Sequence, residues 1–228
     1  MKKVKGNNSK IENVKLYKKK SASKGEAMWL ISMYVIKMLA YMVVALPIYL
    51  LIRSIIIKRR KRPVNKLHEV LLALFILYLV GLASQTIIPK WSIGVDGSTG
   101  KFYFDVYIFN RMSSVNLIPF RTIMNYFQAN EHVSGWSSVS LVNLLGNMFV
   151  FSPIGFFIPL LWRRMDSFKA ILFIGFGVTC FIEGTQYFIG RSTDIDDIIL
   201  NTFGVIIGYG VYLAWKVLAM PENSVDRK

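Results

Sequence analysis

The order of apolar and polar residues divides the chain into long apolar stretches separated by short charged links. Five of these stretches are long enough, at about 20 residues or more, to cross a bilayer as helices. Because a membrane-spanning backbone must satisfy its own hydrogen bonds, the pattern predicts an all-α, polytopic helical bundle. The predicted spans are residues 28–57, 67–88, 141–162, 168–189 and 198–220.

The first apolar stretch admits two interpretations, because Lys37, Pro47 and Arg53 interrupt it. It either crosses the membrane once, tilted and kinked at Pro47, or forms a re-entrant segment that turns there and returns. We favour the single crossing. No small-residue cleavage pattern follows the stretch, so it is predicted to be a retained membrane segment and not a signal peptide.

The segments outside the predicted spans divide the chain further. Residues 1–27 carry nine lysines and two glutamates and are predicted to form a disordered basic tail before the membrane domain of residues 28–220. Residues 221–228 form a C-terminal tail. In the long loop of residues 89–140, Phe102 to Tyr107 suit a hairpin strand, and Ile118 to Phe127 suit an amphipathic element at the membrane surface.

Composition and charge support a membrane protein with a defined orientation. The chain is 54% hydrophobic, and its net charge of +15 is concentrated in blocks beside the apolar stretches, which argues against a nucleic-acid partner. The link 58–66 holds six cations and no acid, whereas the link 190–197 holds one arginine and three aspartates. Cationic links face the cytoplasm, so the acidic link and the long loop are predicted to face outward. The lysine-rich N-terminus contradicts this rule if the first stretch crosses once.

Polar residues of the last three spans fall at the predicted outer end, together with the long loop. Such residues are costly in a bilayer and therefore indicate a functional or tightly paired site. We predict one outward-facing polar pocket for a ligand. Its candidate residues are Asn116, Arg121, Asn143, Asn147, Glu183, Gln186, Arg191, Asp194, Asp196, Asp197 and Asn201.

Structural roles remain open for several of these residues. Asp196 or Asp197 is placed to cap the last helix, and Arg191 is as suitable for an interfacial anchor as for an anionic ligand. Asp194, Asp196 and Asp197 have the oxygen chemistry to hold a divalent cation, but the spacing alone leaves metal binding undetermined. Cys180 is the single cysteine, which excludes a disulfide framework within the chain. No cofactor is predicted.

Four motifs in order resemble the VanZ-like family of membrane proteins, which is associated with resistance to teicoplanin-type glycopeptides. They are NLIPF, NLLGNMFVFSPIGFFIP, EGTQ and RSTDIDDIILNTFGVIIGY, and the resemblance covers about residues 67 to 215. The matching positions are Asn116, Pro119, Phe120, Asn143, Gly146, Asn147, Phe151, Pro153, Gly155, Glu183, Gln186, Arg191, Asp194, Asp196, Asp197, Asn201, Gly204 and Gly208. The long lysine-rich tail departs from the family core.

The resemblance implies a multi-pass protein of the bacterial cytoplasmic membrane that gives accessory resistance to lipoglycopeptides. In that interpretation the polar pocket binds an amphiphile, either the drug or a lipid-linked cell-wall precursor, and membrane lipids are the other partners. The alternatives are a membrane enzyme acting on a lipid-linked head group, with Glu183 as general base, and a lipid transporter. A non-enzymatic role is preferred, because the sequence contains no evident pair of nucleophile and base. The ligand and the oligomeric state are not determined by the sequence.

Overall fold

The computed structural model describes residues 3–60, 63–107, 115–132 and 136–219. Six α-helices and four short strands make up the described chain. The helices are α1 (Lys3–Arg59), α2 (Lys66–Thr86), α3 (Arg121–His132), α4 (Trp136–Leu161), α5 (Phe168–Phe188) and α6 (Ile195–Ala219). The strands are β1 (Lys90–Val95), β2 (Phe102–Tyr107), β3 (Val115–Asn116) and β4 (Thr193–Asp194).

The structure confirms five helices that are long and apolar enough to cross a membrane. Helix α1 runs without interruption through Pro47, so the re-entrant alternative does not describe this chain. The same helix extends to Lys3 through the stretch predicted to be a tail, and the division into tails and membrane domain stays a prediction. The predicted C-terminal tail lies outside the described residues.

Helix α6 begins at Ile195, three residues before the predicted start. The predicted span begins at Ile198 and leaves Asp196 and Asp197 in the preceding link. Both lie in its first turn, where the positive end of the helix dipole favours carboxylates. The polar N-terminal end of a span therefore extends beyond its apolar stretch.

Helices α4 and α6 pack closely because glycines remove side chains from their interface. A Cβ built on Gly155 would lie 1.8 Å from the Val205 carbonyl oxygen, and one on Gly208 would lie 1.7 Å from the Ser152 carbonyl oxygen. Val205 is completely buried at this contact. The two helices approach closely at Gly155, Gly204 and Gly208, whereas Gly146 faces open space.

Helices α1 and α2 run antiparallel and are joined at two levels. The ε-methyl of Met42 lies 2.4 Å from the position that a Cβ on Gly81 would take. Toward the other end, the Arg53 guanidinium donates two hydrogen bonds to the Glu69 carboxylate, at 2.5 and 2.6 Å. Chain direction alternates from helix to helix, so one end of the bundle holds the N-terminal parts of α1, α4 and α6 and the C-terminal parts of α2 and α5. We call this end the acidic end.

The extramembrane elements also gather at the acidic end. Strands β1 and β2 form an antiparallel hairpin, which confirms the predicted strand at Phe102 to Tyr107. Strand β3 pairs in parallel with β4, linking the long loop to the start of α6. Helix α3 follows β3 and forms the predicted amphipathic element over Arg121–His132. These contacts place the loop beside the residues that the sequence singled out.

Candidate functional site

A cavity of about 540 Å³ opens at the acidic end between α1, α2, α4, α5 and α6. One side of its lining is polar and includes Glu183, Gln186, Arg191, Asp197 and Asn201. The opposite side is supplied by α1. The spacing of its four lining residues places them on one helical face; they are Ile31, Tyr34, Val35 and Met38.

Helix periodicity explains how two neighbouring helices each present paired polar groups to the cavity. Glu183 and Gln186 are three residues apart on α5, and Asp197 and Asn201 are four apart on α6, so each pair lies on one face. Glu183 and Asn201 are buried, with 2% and 4% of their surfaces exposed. Gly146 also lines the cavity, where the lack of a side chain leaves space beside Asn147.

The two carboxylates of the cavity are each held by a hydrogen bond. The Asn147 side-chain amide donates to Asp197 at 2.8 Å, joining α4 to α6. The backbone N–H of Asp194 donates to the Glu183 carboxylate at 3.1 Å. The Thr193 hydroxyl also donates to the backbone carbonyl of Glu183, at 3.2 Å. These bonds orient both acids and leave acceptor capacity for a further partner.

Asp194 organises the junction between the loop and α6. Its carboxylate accepts the backbone N–H of Asp196 at 3.0 Å and thereby caps α6. The same carboxylate accepts the Asn116 amide at 3.0 Å and the Thr122 hydroxyl. Asn116 and Asp194 are also partners in the β3–β4 register. They support the site and do not line the cavity.

Asp196 caps a different helix from the one predicted. Its carboxylate is completely buried and accepts the backbone N–H groups of Phe120, Thr122 and Ile123, at 2.5, 2.7 and 3.1 Å. These are free donors at the N-terminus of α3. The expectation that Asp196 or Asp197 caps α6 is therefore wrong, because Asp194 caps α6 while Asp196 points across the junction to α3.

Arg191 and Gln186 bind the C-terminal end of α2. The Arg191 guanidinium donates to the carbonyls of Gln85 and Thr86, at 2.8 and 3.1 Å, and Gln186 donates to the Thr86 carbonyl at 3.1 Å. These carbonyls have no partner within their own helix. Cationic groups suit the negative end of a helix. Arg191 thus anchors α2 to the bundle while part of it lines the cavity.

The predicted residues fall into distinct groups. Six of them line the cavity: Asn147, Glu183, Gln186, Arg191, Asp197 and Asn201. Asn116, Asp194 and Asp196 form the supporting network, and Arg121 lies exposed at the start of α3, away from the cavity lining. The side chain of Asn143 lies outside the described part of the chain. The ligand-binding role of the set stays a prediction.

Sequence reasoning missed several lining residues. Gln85 was detectable, because it is a polar residue in the last turn of an apolar span, the same signal that marked Gln186. Ser192 lies in the link 190–197, but it carries no charge and was not selected as a candidate. The α1 residues gave no signal, since apolar side chains in a predicted span are equally suited to lipid and to a cavity wall. Only the packing of α1 against α2 and α4 shows that these residues line the cavity.

The hydrogen bonds of the acidic link and of Asn201 show which acceptors of the site already have donors. Among the residues that the structure describes, no group of three or more His, Cys, Asp or Glu side chains is arranged to hold a metal ion. Asp194 and Asp196 already use their carboxylates on amide and hydroxyl donors. The Asn201 side-chain oxygen is buried, and no described residue donates a hydrogen bond to it. A ligand with hydrogen-bond donors would satisfy that oxygen.

Comparison with known proteins identifies the family from which these motifs come. A family model described as VanZ/LLP1 matches residues 70–216. That range contains α4 and α5, the loop with α3, and most of α2 and α6. No curated protein and no solved structure matches the chain. Because the matched range covers most of the chain and every polar residue of the cavity, the chain belongs to the VanZ/LLP1 family.

Proposed function

We propose that the cavity binds the polar head of an amphiphile and that the protein thereby gives accessory resistance to lipid-tailed glycopeptides. The ligand is either the drug or a lipid-linked cell-wall precursor that the protein shields from it. The membrane is the bacterial cytoplasmic membrane, and the acidic end faces outward. The observation that carries the proposal is the two-sided lining of the cavity, polar on α5 and α6 and apolar on α1.

The apolar side suits the lipid part of such a ligand. Ile31, Tyr34, Val35 and Met38 belong to α1, a membrane-spanning helix many of whose apolar side chains are exposed. The cavity wall is therefore one side of a helix that also packs against α2, through Met42 and Arg53, and exposes its remaining apolar side chains to lipid. An acyl or prenyl chain bound along this wall would keep its contact with the hydrocarbon region.

The polar side favours a headgroup that donates hydrogen bonds. The lining contains the carboxylates of Glu183 and Asp197 and the guanidinium of Arg191, which already binds two α2 carbonyls. Two carboxylates are therefore present with a single guanidinium that is already bound to α2, and acidic groups exceed basic ones. Ammonium and hydroxyl groups, as found on glycopeptides and on the peptide and sugar parts of wall precursors, match this lining.

Drug susceptibility tests the proposal directly. Cells expressing the wild type, Glu183→Gln or Asp197→Asn at equal membrane abundance would be compared with cells lacking the protein. Losing a hydrogen bond to a charged group costs about 1.5–3 kcal/mol, roughly tenfold or more in affinity. Protection against lipid-tailed glycopeptides should therefore fall severalfold in both variants.

The matched control is Asp105→Asn, which removes an exposed carboxylate from the β1–β2 hairpin, outside the cavity lining. It should protect as well as the wild type. Equal protection by all four proteins would refute the cavity as the binding site. Unchanged susceptibility on removing the wild-type protein, across several lipid-tailed glycopeptides, would refute the resistance role itself.

A further inference from the structure

The β1–β2 hairpin has one entirely apolar face. Cross-strand partners lie on the same side of a sheet, and the register pairs Trp91 with Val106, Ile93 with Phe104, and Val95 with Phe102. All six side chains are exposed, from 44% for Trp91 to 68% for Phe102. The rings of Trp91 and Phe104 pack against each other, with centroids 6.1 Å apart. The described residues of the bundle leave this face uncovered.

The opposite face of the hairpin is polar. Ser92 pairs with Asp105, and the Ser92 and Tyr107 hydroxyls are hydrogen-bonded at 2.9 Å. The tip is polar as well. Asp96 accepts hydrogen bonds from Ser98 and Thr99, and the bonds from Ser98 lower the pKa of Asp96 to about 2. The tip therefore keeps a negative charge at neutral pH.

The position of the hairpin indicates whether its apolar face meets lipid or water. Strand β1 begins four residues after Thr86, the last residue of a membrane-spanning helix. The indole N–H of Trp91 donates to the Tyr41 hydroxyl at 2.9 Å, and Tyr41 lies within the membrane-spanning part of α1. The apolar face is therefore continuous with the lipid-exposed surface of α1.

We infer that the hairpin lies flat in the membrane interface, with its apolar face on the acyl chains and its polar face in water. The occupant of the exposed face is the lipid surface of the same membrane. An element with one apolar and one polar face settles at this boundary, where tryptophan and tyrosine are also favoured. The polar tip and the open strand edges keep the hairpin out of the hydrocarbon core, because unpaired backbone groups are costly there.

Site-specific fluorescence in liposomes tests this inference. In full-length protein carrying Cys180→Ala, a single cysteine would be introduced by Phe104→Cys or by its neighbour on the other face, Asp105→Cys. Each would be labelled with a nitrobenzoxadiazole dye. The dye at 104 should show a blue-shifted emission and lose intensity with doxyl-labelled phosphatidylcholine. The dye at 105 should lose intensity with aqueous iodide instead.

A second pair, Ile93→Cys and Ser92→Cys, repeats the comparison on β1 in case one substitution disturbs the hairpin. Iodide quenching of equal strength on both faces would overturn the inference. The inference would also be overturned if dyes at positions 104 and 93 were both shielded from iodide and from doxyl lipid. That result would show that protein, such as a second copy of the chain, covers this face.

Discussion

At the scale of single residues, three aspartates within four positions have three different roles. Asp194 caps α6 and binds Asn116, Asp196 caps α3, and Asp197 lines the cavity with Asn147 as its donor. Successive residues near a helix start point in different directions, about 100° apart along the helix. The acidic link therefore supplies one side chain to the cavity lining and two to the supporting network.

Replacing Asp196 should destabilise the protein strongly. Asp196→Ala leaves three partly buried N–H donors at the start of α3 without an acceptor, and we expect a loss of about 3 kcal/mol in unfolding free energy. Thermal unfolding in detergent measures the change, and limited proteolysis near α3 locates it. Asp105→Asn, at an exposed carboxylate, should change neither. Unaltered stability of Asp196→Ala would show that the cap contributes nothing.

Asp166 forms a cluster of hydrogen bonds at the end of the bundle opposite the acidic end. It follows α4 and accepts hydrogen bonds from Lys216 at 2.6 Å and from the Tyr209 and Tyr212 hydroxyls at 3.1 Å each. All three donors lie on α6. The Lys216 ammonium holds the pKa of Asp166 below its ordinary value, and the tyrosine hydrogen bonds act in the same direction.

The stabilisation from Asp166 should depend on pH in one direction. A depressed folded-state pKa means that the contribution is complete above the unfolded pKa, about 4, and is lost as the pH falls through the folded value. Since Lys216 is partly exposed, we expect Asp166→Asn to cost about 1 kcal/mol at neutral pH. The wild type and Asp166→Asn should converge in unfolding temperature in detergent as the pH is lowered progressively below about 4. A difference that persists there would contradict the mechanism.

At the scale of elements, the bundle depends on close contact between α4 and α6. Gly155, Gly204 and Gly208 let the two backbones approach until a Cβ on any of them would overlap a carbonyl oxygen of the other helix. This contact places Asn147 of α4 within hydrogen-bonding distance of Asp197 on α6. The cavity therefore inherits its geometry from a glycine interface that lies deeper in the bundle.

Adding one methyl group to this interface should force the helices apart. Gly208→Ala places a Cβ 1.7 Å from the Ser152 oxygen, and we expect a loss of about 1–3 kcal/mol in stability. Gly210→Ala is the matched control, because it lies on the same helix with nothing within 4 Å of its Cβ position. That change should stabilise the helix by about 0.5–1 kcal/mol. Thermal unfolding in detergent distinguishes them, and equal behaviour would contradict close packing.

At the scale of the whole molecule, charge separates the two ends of the bundle. At the acidic end, Glu183 and the link 190–197 hold four carboxylates against Arg191, and the loop at the same end adds Asp96 and Asp105 with Lys90, Lys101 and Arg121. The other end carries the basic link 58–66 and the pair Arg163 and Arg164. The rule that cationic links face the cytoplasm predicts an outward acidic end. The N-terminal lysines oppose that orientation, because the continuous α1 places them at the acidic end.

Cysteine labelling in cells would determine the orientation. In a Cys180→Ala background, Ser98→Cys at the hairpin tip should react with a membrane-impermeant maleimide in intact cells. Met165→Cys, exposed in the link between α4 and α5, should react only after permeabilisation. The reverse pattern would place the cavity on the cytoplasmic side and contradict its proposed role at the outer surface.

Sequence reasoning alone predicted the five membrane helices, the strand at Phe102 to Tyr107 and the family motifs. These features are local, because apolar length and alternation appear within a single stretch of chain. It also identified most polar residues of the cavity, since a polar group in an apolar span is evident without knowing its neighbours. Asn147, Glu183, Gln186 and Asn201 were all found in this way.

The partners of these residues depend on the folded arrangement of the whole chain. Arg191 binds Gln85, 106 positions earlier, and Asp196 binds Phe120, 76 positions earlier. Such pairings depend on how distant helices pack, and residue type does not reveal them. The same holds for the cavity wall, where Tyr34 and Met38 differ from lipid-facing residues only in what lies opposite. Because of this long-range packing, the three aspartates of the acidic link have different roles: Asp194 caps α6, Asp196 caps α3 and Asp197 lines the cavity.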